Sequence, residues 1–305
     1  MSRIHDALKK AEQERAESQL GGTQPGFSVV PPAGNSVAVD DNSLVNENGA
    51  GAAYYASIGP ESLLAKCSAA QWKPDPATML FLNGDDNKRG TEEFRTLRSR
   101  LYHAREKMTL KSVLITSALP REGKSFTSAN LAQVLVRQHG RRVLLIDADL
   151  RAPRLHTMLG AESSPGLSDY LQGGSTEFAV MQRGPLENLF FIPSGTPIDD
   201  PSELVGNGRM KILLQRVGSL FDWIVVDSPP AVPVSDSSVL AKACDGVLIV
   251  VRSNSTPFDA ARKAREEFSE ESLVGMVLNG TRNGAAPYTR YYYEAYEKKT
   301  SKQKS

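Results

Sequence analysis

Gly123, Lys124 and Ser125 stand in succession in the stretch Ala118-Leu-Pro-Arg-Glu-Gly-Lys-Ser125, and together they are equipped to hold a polyphosphate. Such binding needs backbone N–H groups that converge on phosphate oxygens and a glycine where the chain passes closest. It also needs a lysine that reaches the β- and γ-phosphates and a hydroxyl that holds Mg²⁺. Gly123, Lys124 and Ser125 supply the last three, and Phe126 follows them into the next element. Ala118 stands where the G-x-x-x-x-G-K-[ST] pattern has its first glycine, so the pattern is present in a relaxed form.

Three aspartates add to this loop: Asp147 and Asp149 in VLLIDADLR, and Asp227 in WIVVDSPP. Each follows an apolar strand, and parallel strands open their carboxyl ends on one edge of the sheet. Mg²⁺ takes only one or two protein carboxylates beside substrate phosphates. Asp227 is suited to hold the ion with Ser125, while Asp147 or Asp149 could also reach it or accept a proton from an incoming hydroxyl. A strand-end aspartate can equally cap the next helix, but three of them beside a G-K-S loop favour the site. His5, His103, His139 and His156 are scattered, so a histidine metal site or a Ser–His hydrolase has no support.

These residues need a sheet behind them, and the sequence provides one. Residues 112–116 are an apolar, β-branched run of the kind that makes a buried parallel strand, and residues 125–136 carry Ala129, Leu131, Ala132, Leu135 and Val136 at helical spacing. Residues 142–146, 189–192, 223–226, 247–251 and 274–278 read as further strands, and 257–268 as a charged helix. Gly166 and Gly173 bracket a short helical segment, and a helix starts near Pro201 with Ser202 as its cap. Strands alternating with helices predict an α/β fold, a P-loop NTPase-like, doubly wound and mainly parallel sheet with helices on both faces. Ahead of it, residues 91–105 form a helix with Phe94, Leu97 and Leu101 on one face and Glu92, Arg95 and Arg98 on another. Charges in such a row make a solvated face or a subunit contact.

The 305 residues allow one large domain with extensions. We expect an amphipathic helix over 1–20, a disordered linker over 21–88 with Trp72 in incidental contact, the domain over 89–285, and a tail over 286–305. Lys and Arg total 36 against 35 for Asp and Glu, a net charge of +1 that gives no global drive toward nucleic acid. Cys67 and Cys244 lack metal-ligand spacing, and no apolar run approaches the length of a membrane span. A cytoplasmic chain is expected, reaching a membrane only through a partner.

TSALPREGKSFTSANLA, VLLIDADLRAP and FDWIVVDSPP together resemble the bacterial tyrosine kinases, the autokinases of capsule and exopolysaccharide machinery, in their cytoplasmic-domain form. The resemblance implies a Walker A loop with Lys124 and Ser125, a Walker A′ motif with Asp147 and Asp149, and a Walker B aspartate at Asp227. It implies ATP and Mg²⁺ as cofactors, with Ser125, Asp149 and Asp227 as metal ligands. Glu92, Arg95 and Arg98 fit the family's E-x-x-R-x-x-R motif, which implies a ring-forming homo-oligomer, and Asn279 resembles the position that contacts adenine in related folds. Arg121 departs from the glycine common at its place in the loop. The opening SRIHDALKKAEQER also resembles kinases linked to exosortase-type polysaccharide loci, and the family implies a membrane chain-length-determinant protein, a polysaccharide co-polymerase, as partner. Two other functions stay open: a partitioning-type switch ATPase, weakened because Ala118 and Leu119 replace its signature lysine, and a nucleotide-binding scaffold without kinase activity.

Tyr288, Tyr291, Tyr292, Tyr293 and Tyr296 are five of the chain's 9 tyrosines. Three consecutive tyrosines point in three directions and cannot share one buried face. They read instead as phosphoacceptors on a mobile tail, modified in trans.

Overall fold

The computed structural model describes residues 62, 65–81, 90–138 and 140–281. The helix expected over 1–20 and the tyrosines of the tail lie outside these residues. The described chain runs β1 (Ser68–Ala69), α1 (Thr91–Arg105), β2 (Ser112–Ser117), α2 (Lys124–Val136), β3 (Val143–Asp147), α3 (Leu155–Leu159) and α4 (Leu167–Leu171). It continues through β4 (Gln182–Arg183), β5 (Leu189–Ile192), α5 (Pro201–Gly206), α6 (Arg209–Val217), β6 (Trp223–Asp227), α7 (Asp236–Ala241), β7 (Gly246–Arg252), α8 (Phe258–Glu266) and β8 (Leu273–Asn279).

The strands form one sheet in the order β1-β4-β5-β3-β6-β2-β7-β8. Every pairing is parallel except β4 with β5, so the expected doubly wound, mainly parallel sheet is what the chain builds. β2 lies between β6 and β7, with Ile115 opposite Asp227, so the strand that feeds the phosphate loop runs beside the strand that delivers Asp227. All six residues of β2 are buried because both faces of the sheet are covered. Val113 and Ile115 join a core with α1 and α2, whereas Leu114 joins the opposite core with α4 and α6. That alternation is the period-2 geometry of a strand acting on a sequence apolar throughout.

Two expectations need correction. The linker expected over 21–88 does not reach its stated end, because residues 66–81 pack on the domain. Trp72 is 6% exposed and meets Phe191 edge-on at 6.0 Å, and Met79 and Phe81 are buried in the α2-side core. Asn130 on α2 fixes this segment by accepting from Leu80 N–H at 2.8 Å and donating to Thr78 O at 2.9 Å. Periodicity reports regular elements, and this segment has almost none; its apolar residues enter the core one at a time. The second correction concerns α5, whose cap is Asp200. Its carboxylate accepts from Ser202 N–H at 3.1 Å, with Pro201 in the first position, while the Ser202 hydroxyl turns to Asp236.

At the other end of the sheet, Asp222 accepts from Arg142 N–H at 2.9 Å and from the Arg141 guanidinium at 2.7 Å. Burial acts to raise its pKa, but these bonds outweigh burial and hold the carboxyl below its ordinary range. A depressed folded-state value gives stability that is present above the unfolded pKa and lost as pH falls through the folded one. Asp222→Asn is therefore expected to melt below the parent chain at pH 7, with the gap closing below about pH 4. Melting curves at both pH values check this; a gap that is constant with pH contradicts it.

Candidate functional site

β2 ends at Ser117 and α2 begins at Lys124, so residues 118–123 form the loop between a buried strand and a helix mouth. α2 has no side-chain cap and no acidic residue in its first turn, which leaves its first amides and the positive end of its dipole for an anion. Gly123 turns the chain at φ 97°, and a Cβ there would lie 2.1 Å from the Asn279 amide nitrogen. The left-handed φ favours glycine, and a side chain there would also have to push the Asn279 amide off the loop. Asn279 donates to Glu122 O at 2.9 Å, which places it against the loop. The ring of Phe126 packs at 6.0 Å from Phe94 of α1, so only its backbone is offered toward the loop.

Lys124 reaches across the mouth of the loop to Asp149, with Nζ 2.5 Å from Oδ2, and both side chains are buried. Burial acts to lower the Lys124 pKa, but the Asp227 and Asp149 carboxylates outweigh it and hold the ammonium above its ordinary value. Asp147 is fully buried; its oxygens accept from Leu155 N–H at 3.0 Å and Asp149 N–H at 3.3 Å. Burial and the adjacent Asp227 push it up to about 8. Burial pushes Asp227 up as well, against the pull of Lys124 and the hydroxyls of Ser125 and Ser128. Ser128 donates to Asp227 Oδ1 at 2.9 Å, while Oδ2 is buried with no hydrogen-bond partner among the described residues. An orphaned carboxylate oxygen beside a serine hydroxyl and a phosphate loop fits a hard divalent cation.

The structure thus brings Gly123, Lys124, Ser125, Asp147, Asp149, Asp227 and Asn279 to one edge of the sheet, and it adds residues that the motifs do not contain. Ser128 pins one oxygen of Asp227 from the next turn of α2. Arg151 binds the buried carboxylate of Asp236 at 2.7 Å and the Ser202 hydroxyl at 2.6 Å, tying the loop after β3 to α5 and α7. Glu122, also buried, accepts from Leu119 N–H at 2.9 Å and from the Thr256 hydroxyl. Only the position of Ser128 one turn after Lys124 could have been read from the sequence.

Of the charged row on α1, Glu92 and Arg95 form an exposed ion pair, whereas Arg98 donates to Val134 O at 3.0 Å and so helps dock α1 on α2. Arg121 lies exposed in the loop at φ 65°, a left-handed conformation that costs a residue with a Cβ about 1 kcal/mol. Arg121→Gly is expected to relieve that strain while adding freedom to the unfolded chain, for a net change smaller than about 1 kcal/mol; a melting temperature lowered by several degrees contradicts this account.

A sequence-family profile described as an AAA domain matches residues 122–262. Tyrosine-protein kinase YwqD of Bacillus subtilis is 36% identical over 204 residues, which cover 66% of this chain and 86% of that protein. Tyrosine-protein kinase wzc of Salmonella typhimurium is 30% identical over 222 residues, covering 72% of this chain but 31% of its own longer length. The solved kinase domain of Escherichia coli tyrosine kinase ETK superposes with a TM-score of 0.58 at 31% identity, covering 64% of this chain and 78% of that domain. The phosphate loop, the buried Lys124–Asp149 pair and these likenesses agree: the chain belongs to the bacterial tyrosine kinases, on a P-loop NTPase-like fold.

Proposed function

We propose that this chain is an ATP-dependent tyrosine autokinase that phosphorylates its own C-terminal tyrosine cluster in trans and regulates exopolysaccharide or capsule biosynthesis and export. The observation that carries the reading is the buried contact between Lys124 and Asp149, which puts a phosphate-binding cation and a proton acceptor 2.5 Å apart at the loop's mouth. Lys124 and the loop amides would hold the triphosphate of ATP. Ser125 and the free oxygen of Asp227 would hold Mg²⁺, which when bound neutralises charge on the phosphate oxygens. Once Lys124 turns to phosphate, Asp149 is released to accept the proton of a tyrosine hydroxyl. The tyrosine oxygen then bonds to the γ-phosphorus as the bond to the β,γ-bridging oxygen breaks, and ADP leaves. Asp147, with both oxygens engaged by backbone N–H groups, positions Asp149.

The acceptors in this reading are Tyr288, Tyr291, Tyr292, Tyr293 and Tyr296, and Glu92, Arg95 and Arg98 face a neighbouring subunit in a ring, Arg98 while also donating to Val134 O. Purified chain given ATP and Mg²⁺ should acquire phosphotyrosine. Release of free phosphate alone would favour the switch ATPase, and neither product the scaffold. Mixing a Lys124→Met chain with a tail-deleted but otherwise intact chain tests transfer in trans: label belongs on the Lys124→Met subunits, and a blank result there refutes it.

The partner in this reading is a membrane chain-length-determinant protein, with residues 2–20 as the docking helix. No helix among the described residues is long and apolar enough to cross a membrane, which fits recruitment through such a partner. Deleting residues 2–20 should leave activity in solution unchanged and abolish membrane recruitment.

A further inference from the structure

Glu122 places a carboxylate inside a loop that has to receive an anion, and no phosphate-binding role requires it. The side chain is 4% exposed, and both of its oxygens are engaged by protein groups. One oxygen accepts from Leu119 N–H at 2.9 Å, three residues back across the turn. The other accepts from the hydroxyl of Thr256, in the connection between β7 and α8. Thr256 accepts in turn from Arg252 N–H at 2.8 Å, and Arg252 donates its guanidinium to Arg121 O at 3.1 Å. The Glu122 carbonyl accepts from Asn279 at the end of β8, at 2.9 Å. Residues 119–122 are therefore held at four points by side chains or amides that belong to the loop itself, to the end of β7, and to the end of β8.

We infer that Glu122 is a positioning residue, a clamp that keeps the phosphate loop in its binding shape before nucleotide arrives. The inference rests on the reading of residues 118–125 as the phosphate loop. The loop needs such a clamp for a reason visible in the chain. Arg121 sits at φ 65° where a side chain is disfavoured, so local backbone preference does not favour this conformation at that position. Charge-assisted hydrogen bonds from a buried carboxylate oppose that tendency. Engaging both oxygens with Leu119 N–H and the Thr256 hydroxyl also offsets part of the carboxylate's charge within the loop. Binding then requires less ordering of the loop, which is how preorganisation raises affinity.

The test is equilibrium binding of a fluorescent ADP analogue with Mg²⁺ to the full chain, at a temperature where circular dichroism shows each protein folded. Glu122→Ala is expected to weaken binding by about tenfold or more, the effect of losing charge-assisted bonds. Glu122→Gln, which can still accept from Leu119 and pair with Thr256, should recover most of it. Thr256→Val, a milder change on a half-buried residue, should weaken binding by a smaller factor, and the Glu122→Ala/Thr256→Val double variant should bind no more weakly than Glu122→Ala alone. A purely structural residue would lower the melting temperature and leave the affinity of the folded protein unchanged, and that result overturns the clamp. So does a double variant whose losses multiply, because the two groups would then act independently. Absence of binding by the unmutated chain overturns the reading of the loop and the clamp with it; normal binding by all variants overturns the clamp alone.

Discussion

Lys124→Met is expected to abolish tyrosine labelling, by about a thousandfold or more, and to cost stability at neutral pH. The first effect follows from losing the cation that meets the transferring phosphoryl group. The second follows from what Lys124 contacts: Asp149 at 2.5 Å, with Asp227 and Asp147 also acting on its charge. Removing one partner of a buried pair leaves an uncompensated charge, at about 3 kcal/mol. The sign of its pH dependence is fixed by the carboxylates. Asp147, raised to about 8, and Asp227, also raised, contribute most stability below their unfolded values and lose it as pH rises through the folded ones. Without the lysine they resist ionisation further, so the deficit should be small at pH 5 and larger at pH 8. Lys124→Arg should restore much of the stability without the activity, because a planar guanidinium keeps the charge but not the point geometry. Melting curves of the three proteins at the two pH values decide it; retained autophosphorylation in Lys124→Met would sink the assignment of this loop.

Trp72→Ala is expected to destabilise the domain by about 3 kcal/mol or more, the cost of emptying a buried aromatic site. The indole fills the space above Gly184, where a Cβ would lie 2.1 Å from the ring, and it meets Phe191 of β5. The loss should spread to α2, because Asn130 holds the same segment at Thr78 and Leu80. A chain cut at residue 90 is expected to show the same fault in stronger form, with weaker nucleotide binding than the full chain. Denaturant titration measures both; a Trp72→Ala midpoint equal to that of the parent chain contradicts the role given to this segment.

The legible part of the fold was the part with a period. Residues 112–117 and 223–227 could be read as strands because runs of Val, Leu and Ile ended in a polar residue, and their carboxyl ends converge as a parallel sheet requires. Lys124, Ser125 and Asp227 were legible because phosphate and metal chemistry constrain residue type and local spacing together. Trp72 was not, since a single buried ring in an irregular segment leaves no pattern. Asp147 and Asp149 have the same residue type and lie two positions apart; only hydrogen bonding separates the one that serves Leu155 N–H from the one that pairs with Lys124. Glu122 and Thr256 lie 134 positions apart, and nothing local to either announces the other.

β8 ends at Asn279, whose amide rests against Gly123, so the chain departs from the rim of its own phosphate loop. Tyr288 follows Thr281 by seven residues, a reach of roughly 25 Å when fully extended. In the proposed reading, a reach of that order leaves both transfer within one chain and transfer between chains geometrically open. Transfer in trans, as proposed, therefore needs a cause beyond reach, and subunit packing is the cause this reading offers. Dilution separates the two: a labelling rate per chain that holds constant as the protein is diluted below its assembly threshold indicates self-modification, and a rate that collapses indicates that the neighbour's tail is the one served.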